Sequence, residues 1–256
     1  MAEAKIRPPP PPQSDWAYFL DMDGTLIEIA ETPDSIHVDD ALLDLVWRLH
    51  GACDGAVALV SGRTLADLDR RVGGTFLAIA GQHGLERRSA SGRVQTQAAP
   101  AAAKEEIARH LASIVARHPG LRLEDKGLTL AIHYRQAPRL ASYVHRTLRG
   151  LVERCQEGLR LQKGKRVVEV QPAGFDKGSA IEEYLREPPF LGRRPVFIGD
   201  DVTDEHGFVV VNRLHGLSVK VGTGTTVARY RLPDVVAVRQ WLATAPGGKN
   251  AERSYP

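Results

Sequence analysis

Five short runs of nearly unbroken apolarity constrain this fold most: Trp16–Leu20, Ala56–Val60, Phe76–Ala80, Pro195–Ile198 and Leu217–Val221. Each is too short for a helix and lacks a polar face, which suits strands buried on both sides of a parallel sheet. Helical spacing separates them, with Leu42, Leu45, Val46 and Leu49 on one stripe and Ile181, Tyr184 and Leu185 on another. Buried strands alternating with amphipathic helices specify an α/β, doubly wound parallel-sheet core.

The middle of the chain breaks this rhythm. Ile107, Leu111, Ile114 and Val115 mark a helix that Pro119-Gly120 ends. Strand-like runs follow at Leu121–Lys126 and Leu128–Tyr134, divided at Gly127. A second helix carries Leu140, Val144, Leu148, Leu151 and Cys155, and two more runs, Leu159–Lys163 and Arg166–Gln171, flank Gly164. This is an inserted α+β unit of order αββαββ, expected over residues 88–171. The core is then 14–87 with 172–243. Pro8–Pro12 reads as a polyproline II leader, so residues 1–13 are expected to be disordered and outside the fold. Residues 244–256 are expected to form a flexible tail.

Composition excludes several functions. The chain has 256 residues, 43% hydrophobic and 25% charged, and its net charge of +3 is too mild for a concentrated nucleic-acid surface. No apolar run approaches the ~18 residues of a membrane span, and the start has no apolar signal segment. Cys53 and Cys155 match no metal or disulfide spacing and read as reduced core thiols. A cytoplasmic protein without nucleic-acid or membrane partners is expected.

Four clusters carry the chemistry. Asp21-Met22-Asp23-Gly24-Thr25 follows the first strand, at the edge where open α/β sheets bind ligands. Of two carboxylates two positions apart, one can attack as a nucleophile while the other handles protons. The bland alternative is an Asp-Gly turn. Ser61-Gly62-Arg63 follows the second strand, where a hydroxyl and an open amide can hold phosphate oxygens, although SGR alone also fits an ordinary strand–turn–helix junction. Lys177 opens a helix and can neutralise a phosphoryl group; a lone lysine is more often a surface residue. Gly199-Asp200-Asp201-Val202-Thr203-Asp204-Glu205 gathers oxygen donors suited to Mg2+. Its alternative is a helix start that uses Asp for capping.

In this order and spacing the four clusters resemble the haloacid dehalogenase superfamily of phosphotransferases, with the insertion where its larger caps lie. Further residues narrow the resemblance: Gly81-Gln82-His83-Gly84-Leu85-Glu86, Glu124-x-Lys126, His133-Tyr134-Arg135, Gly164-Lys165, Glu169 and the run Gly199–Glu205. Over roughly residues 14–242 the chain looks like the trehalose-6-phosphate phosphatase family. The resemblance implies Asp21 as nucleophile, Asp23 as acid/base, and Lys177 with both. It implies Mg2+ at Asp21, Asp23, Asp200, Asp201 and Asp204. Substrate contacts are implied at Met22, Asp23, Ser61, Gly62, Arg63, His83, Glu124, Lys126, Lys165 and Glu169. Without the resemblance, the cap charges read as exposed ion pairs, and His133, outside the expected site, as a satisfied core histidine.

The expected reaction is Mg2+-dependent hydrolysis of trehalose 6-phosphate through an aspartyl-phosphate. The rivals are sucrose- or mannosylglycerate-phosphate hydrolysis on the same fold and a non-catalytic sugar-phosphate sensor, against which the intact carboxylates argue. A dehalogenase would not need a second acid at Asp23. The expected partner is a small sugar phosphate, and no motif speaks to association with a trehalose-phosphate synthase.

Overall fold

The computed structural model describes residues 7–29, 36, 38–73, 77–97, 100–155 and 158–246. The chain separates into two compact units: Met1–Gln95 with Asp176–Pro256, and Thr96–Phe175.

The first unit is built on an eight-stranded sheet. Its strands are β1 (Trp16–Leu20), β2 (Val57–Val60), β3 (Ala78–Gly81), β4 (Glu86–Arg88), β5 (Val94–Thr96), β10 (Arg194–Gly199), β11 (Leu217–Val221) and β12 (Tyr230–Leu232). Between β5 and β10 lie β6 (Arg122–Asp125), β7 (Leu130–His133), β8 (Leu159–Gly164) and β9 (Val167–Pro172), all in the second unit. The order β12-β11-β10-β1-β2-β3-β4-β5 puts β1 at the centre, paired in parallel with β10 and β2. Every residue of β1, β2 and β11 is buried, as their unbroken apolarity requires.

Helices α1 (Asp40–Ala52), α2 (Leu65–Val72), α5 (Lys177–Tyr184), α6 (Glu205–Arg213) and α7 (Val235–Ala243) accompany this sheet. Their starts follow the capping signals: Asp39, Thr64, Asp176 and Asp234 each accept a backbone N–H of the first turn. The aromatic core stacks Phe19 on Phe190, with Tyr184 beside both.

In the second unit, α3 (Ala101–Arg117) and α4 (Ala141–Cys155) pack on a four-stranded antiparallel sheet of order β6-β7-β9-β8. One sheet face gives Leu130, Ile132, Val168 and Val170 to a core shared with Ile107, Leu111, Val144 and Leu148. Period-2 alternation sends Glu124, His133 and Glu169 to the other face.

Two boundaries differ from expectation. The inserted unit starts near residue 96 rather than 88, because β4 and β5 extend the first sheet beyond β3. The leader is not wholly outside the fold. Trp241 Nε1 donates to the Pro10 carbonyl at 2.9 Å, Arg231 N donates to the Arg7 carbonyl at 3.0 Å, and Pro9 and Pro12 are buried. Polyproline II leaves its carbonyls without internal partners, so they can accept bonds from a neighbouring surface. Residues 1–6 and 247–256 lie outside the described part.

Candidate active site

The chain leaves β1 at Asp21, whose N–H donates to the Ile198 carbonyl of β10 at 3.0 Å. This bond joins the two central strand ends and brings the first acidic cluster to the fourth. Ligand atoms of Asp21, Asp200 and Asp204 lie within 4.8 Å of one another, and all three residues are buried. Gly24 permits the approach: its φ is +82°, and a Cβ there would stand 2.3 Å from Asp200 Oδ2.

Lys177 enters from the start of α5. Its Nζ donates to Asp21 Oδ1 at 2.7 Å and to Asp204 Oδ1 at 2.6 Å, and the residue is 3% exposed. Asp204 Oδ2 accepts the Asp201 N–H at 2.8 Å, which ties the acidic loop to itself. Burial pushes the Asp21 carboxyl well above the ordinary carboxylate range; Lys177 opposes the shift, while Asp204 and Asp200 reinforce it. Burial alone would lower the Lys177 pKa, but Asp204 and Asp21 outweigh it and keep the ammonium charged. Three buried carboxylates against two buried lysines, Lys177 and Lys220, leave an excess of acidic groups on hard oxygen donors. That donor set fits a small divalent cation.

Asp23 points elsewhere. Arg63 Nε and Nη2 donate to its two oxygens at 2.7 and 2.8 Å, and Arg63 Nη1 donates to Asp67 at 2.7 Å. The Asp23 side chain is 32% exposed, unlike those of Asp21 and Asp204. Ser61 is buried, and its Oγ accepts the Arg63 N–H at 3.2 Å. His83 packs against Gly62, where a Cβ would stand 2.7 Å from the imidazole. Gln82 and His83 both have positive φ, 45° and 58°. Two consecutive side-chain-bearing residues in this region cost strain that surrounding contacts must hold. Here the His83 N–H donates to the Ser61 carbonyl and the Gln82 N–H to the Arg63 carbonyl. The Met22 side chain lies in the core, and its carbonyl accepts three backbone bonds, from Thr25, Leu26 and Ile27.

Within the second unit, register aligns Glu124 with Ala131, Ala131 with Glu169, and Glu169 with Gln162 across four strands. Glu124 Oε2 is 2.7 Å from His133 Nε2, and Lys126 pairs with Glu169. The bond to His133 holds the Glu124 carboxyl below its ordinary value despite burial, with help from Lys126. Lys165 is exposed in the β8–β9 turn.

Two residues were not anticipated. His133 joins the Glu124 cluster of the second unit, and its i+2 relation to Ala131 on β7 was a signal that placed it on that face. Lys220 is buried on β11, and its Nζ donates to the Asp200 carbonyl. A lysine inside a mostly apolar strand was the available signal for it.

A family model described as trehalose-phosphatase matches residues 19–235. The trehalose-6-phosphate phosphatase of Escherichia coli (strain K12) is 45% identical over 227 residues, covering 89% of this chain and 85% of that protein. A solved trehalose-6-phosphate phosphatase related protein superposes with a TM-score of 0.74 at 27% identity, over 88% of this chain and 95% of that one. A haloacid dehalogenase-like hydrolase from Bacteroides thetaiotaomicron shares the fold, with a TM-score of 0.62 at 15% identity over 88% and 97% of the two chains.

Proposed function

The chain belongs to the trehalose-phosphatase family, and from that premise we propose that it hydrolyses trehalose 6-phosphate to trehalose and phosphate through an aspartyl-phosphate on Asp21. The observation that carries this reading is the Lys177 bridge from Asp21 to Asp204, beside Asp200. It presents a nucleophilic carboxylate, a phosphate-neutralising ammonium and metal-binding oxygens at one strand edge.

In the first half-reaction an Asp21 oxygen bonds to phosphorus as the phosphorus–sugar oxygen bond breaks, and the Asp23 proton passes to the departing oxygen. In the second, a water oxygen bonds to phosphorus, Asp23 takes the water's proton, and the bond to Asp21 breaks to release phosphate. Asp21, Asp200, Asp204 and the Asp23 carbonyl, with Asp201 alongside, would hold Mg2+, which would supply positive charge to offset repulsion between carboxylate and phosphate. Lys177, the Ser61 hydroxyl and the Gly62 amide hold phosphoryl oxygens in place, the electrostatic contribution that dominates phosphoryl transfer. His83, braced against Gly62, keeps that loop in shape. Glu124, Lys126, Glu169 and Lys165 are assigned to sugar hydroxyls. A cytoplasmic setting belongs to the same reading, since the substrate is a charged sugar; among the described residues no helix is long and apolar enough to cross a membrane.

The test is phosphate release from a panel of sugar phosphates with Mg2+ present. Trehalose 6-phosphate should exceed sucrose 6-phosphate and mannosylglycerate phosphate in kcat/KM by at least an order of magnitude. A different preferred sugar would redirect the substrate assignment, and no release from any would leave a sensor.

A further inference from the structure

The resemblance implies Arg63 as a substrate contact, yet two carboxylates occupy its guanidinium. Three of its five N–H donors serve Asp23 and Asp67, at 2.7, 2.8 and 2.7 Å. Its side chain is 11% exposed, and it is anchored from behind. Asp67 also accepts from Arg71 and Arg70 at 2.9 and 3.0 Å, and Arg71 donates to the Ile36 carbonyl. Among the described residues, Arg63 is the partner that fixes both oxygens of Asp23. Most of the donors of this guanidinium are thus committed to carboxylates.

We propose that Arg63 is a positioning residue that acts through Asp23, holding the acid/base carboxylate where it can serve the leaving sugar oxygen and the incoming water, rather than a phosphate ligand. The inference rests on the reading of Asp23 as acid/base. A planar fork on both carboxylate oxygens fixes the plane of the group as well as its distance. Asp23 stands on a turn and is a third exposed, so it depends on such a clamp more than the buried Asp21 does. Asp67 keeps the fork aimed from α2.

The test compares wild type, Arg63→Met, Asp23→Asn and the double variant, on trehalose 6-phosphate and on p-nitrophenyl phosphate, whose leaving group departs without protonation. Arg63→Met should lower kcat on the sugar phosphate about tenfold or more, with KM moving less than about threefold, and the loss on p-nitrophenyl phosphate should be smaller, because that substrate needs Asp23 for the attack of water but not for the leaving group. In the Asp23→Asn background the same substitution should change kcat by less than about twofold, since the group it positions is gone. Losses that multiply in the double variant, or a KM rise on both substrates, would overturn the positioning role and return Arg63 to the phosphate. Full sugar-phosphate turnover by Asp23→Asn would instead remove the acid/base reading, and the inference with it. Thermal melts precede the kinetics. If Arg63→Met does not fold, Arg63→Lys, which keeps the charge but not the fork, carries the same comparison.

Discussion

Lys177 Nζ lies 2.7 Å from Asp21 Oδ1, joining residues 156 positions apart across the interrupted core. The pair is buried, and with Asp200 and Asp204 alongside it leaves more negative than positive charge. Asp21→Asn keeps the shape and removes one negative charge. Hydrolysis should fall by about three orders of magnitude or more, because covalent catalysis and metal placement fail together. In EDTA at pH 7 the same variant should melt higher than wild type, by about 2–4 °C for each kcal/mol of relieved repulsion. Calorimetry with a phosphate-release assay checks both, and a lower melting temperature with intact packing would contradict the charge argument.

The carboxylate cluster also makes stability dependent on metal. Mg2+ binding the folded state alone should raise the melting temperature with concentration. Asp200→Asn and Asp204→Asn should each flatten that response and abolish most phosphate release. A Mg2+ response unchanged in both variants would place the cation elsewhere.

The parts of this molecule that were legible in the sequence are those where one residue type has one physical use. β1, β2 and β11 announce themselves because strands covered on both faces need no polar alternation. Asp21 and Lys177 stand at a strand end and a helix start that can be located without coordinates. The β4–β5 extension was not legible, because Glu86-Arg87-Arg88 is charged and reads as a loop. Its arginines are nonetheless buried, neutralised by Asp69, Glu183 and Glu187. Nor was the partner of Arg63 legible, since a bond between residues 40 positions apart leaves no local pattern. The leader misled because five prolines exclude a helix or a strand but say nothing against docking through free carbonyls.

The proposed sugar contacts at Glu124 and Glu169 can be tested directly. Glu124→Ala and Glu169→Ala should each lower kcat/KM for trehalose 6-phosphate at least about tenfold, as the loss of charged hydrogen bonds to hydroxyls implies. Hydrolysis of p-nitrophenyl phosphate should hardly change, because it has no sugar to hold. Glu169→Ala also removes a carboxylate that pairs with the half-buried Lys126, so Glu169→Gln is the cleaner probe of binding. Parallel losses on both substrates would make these charges structural.

Asp67 offers a test of stability against pH. Burial alone would raise its pKa, but Arg71 and Arg63 outweigh burial and hold it below the ordinary 3.8. A carboxyl whose folded value is depressed binds protons less readily in the folded chain than in the unfolded one. Its contribution is therefore fully present above 3.8 and is lost as pH falls through the lower, folded value. Asp67→Asn removes the charge that gathers Arg63, Arg70 and Arg71. Since the Asp67 side chain is 18% exposed, solvent screening limits the loss to about 1 kcal/mol at neutral pH. The gap in melting temperature between wild type and variant should stay constant from pH 7 to about 5 and narrow below 3.8. Added salt should shrink it further. A gap that widens toward pH 3, or ignores pH altogether, would show that the arginine cluster does not depend on the Asp67 charge.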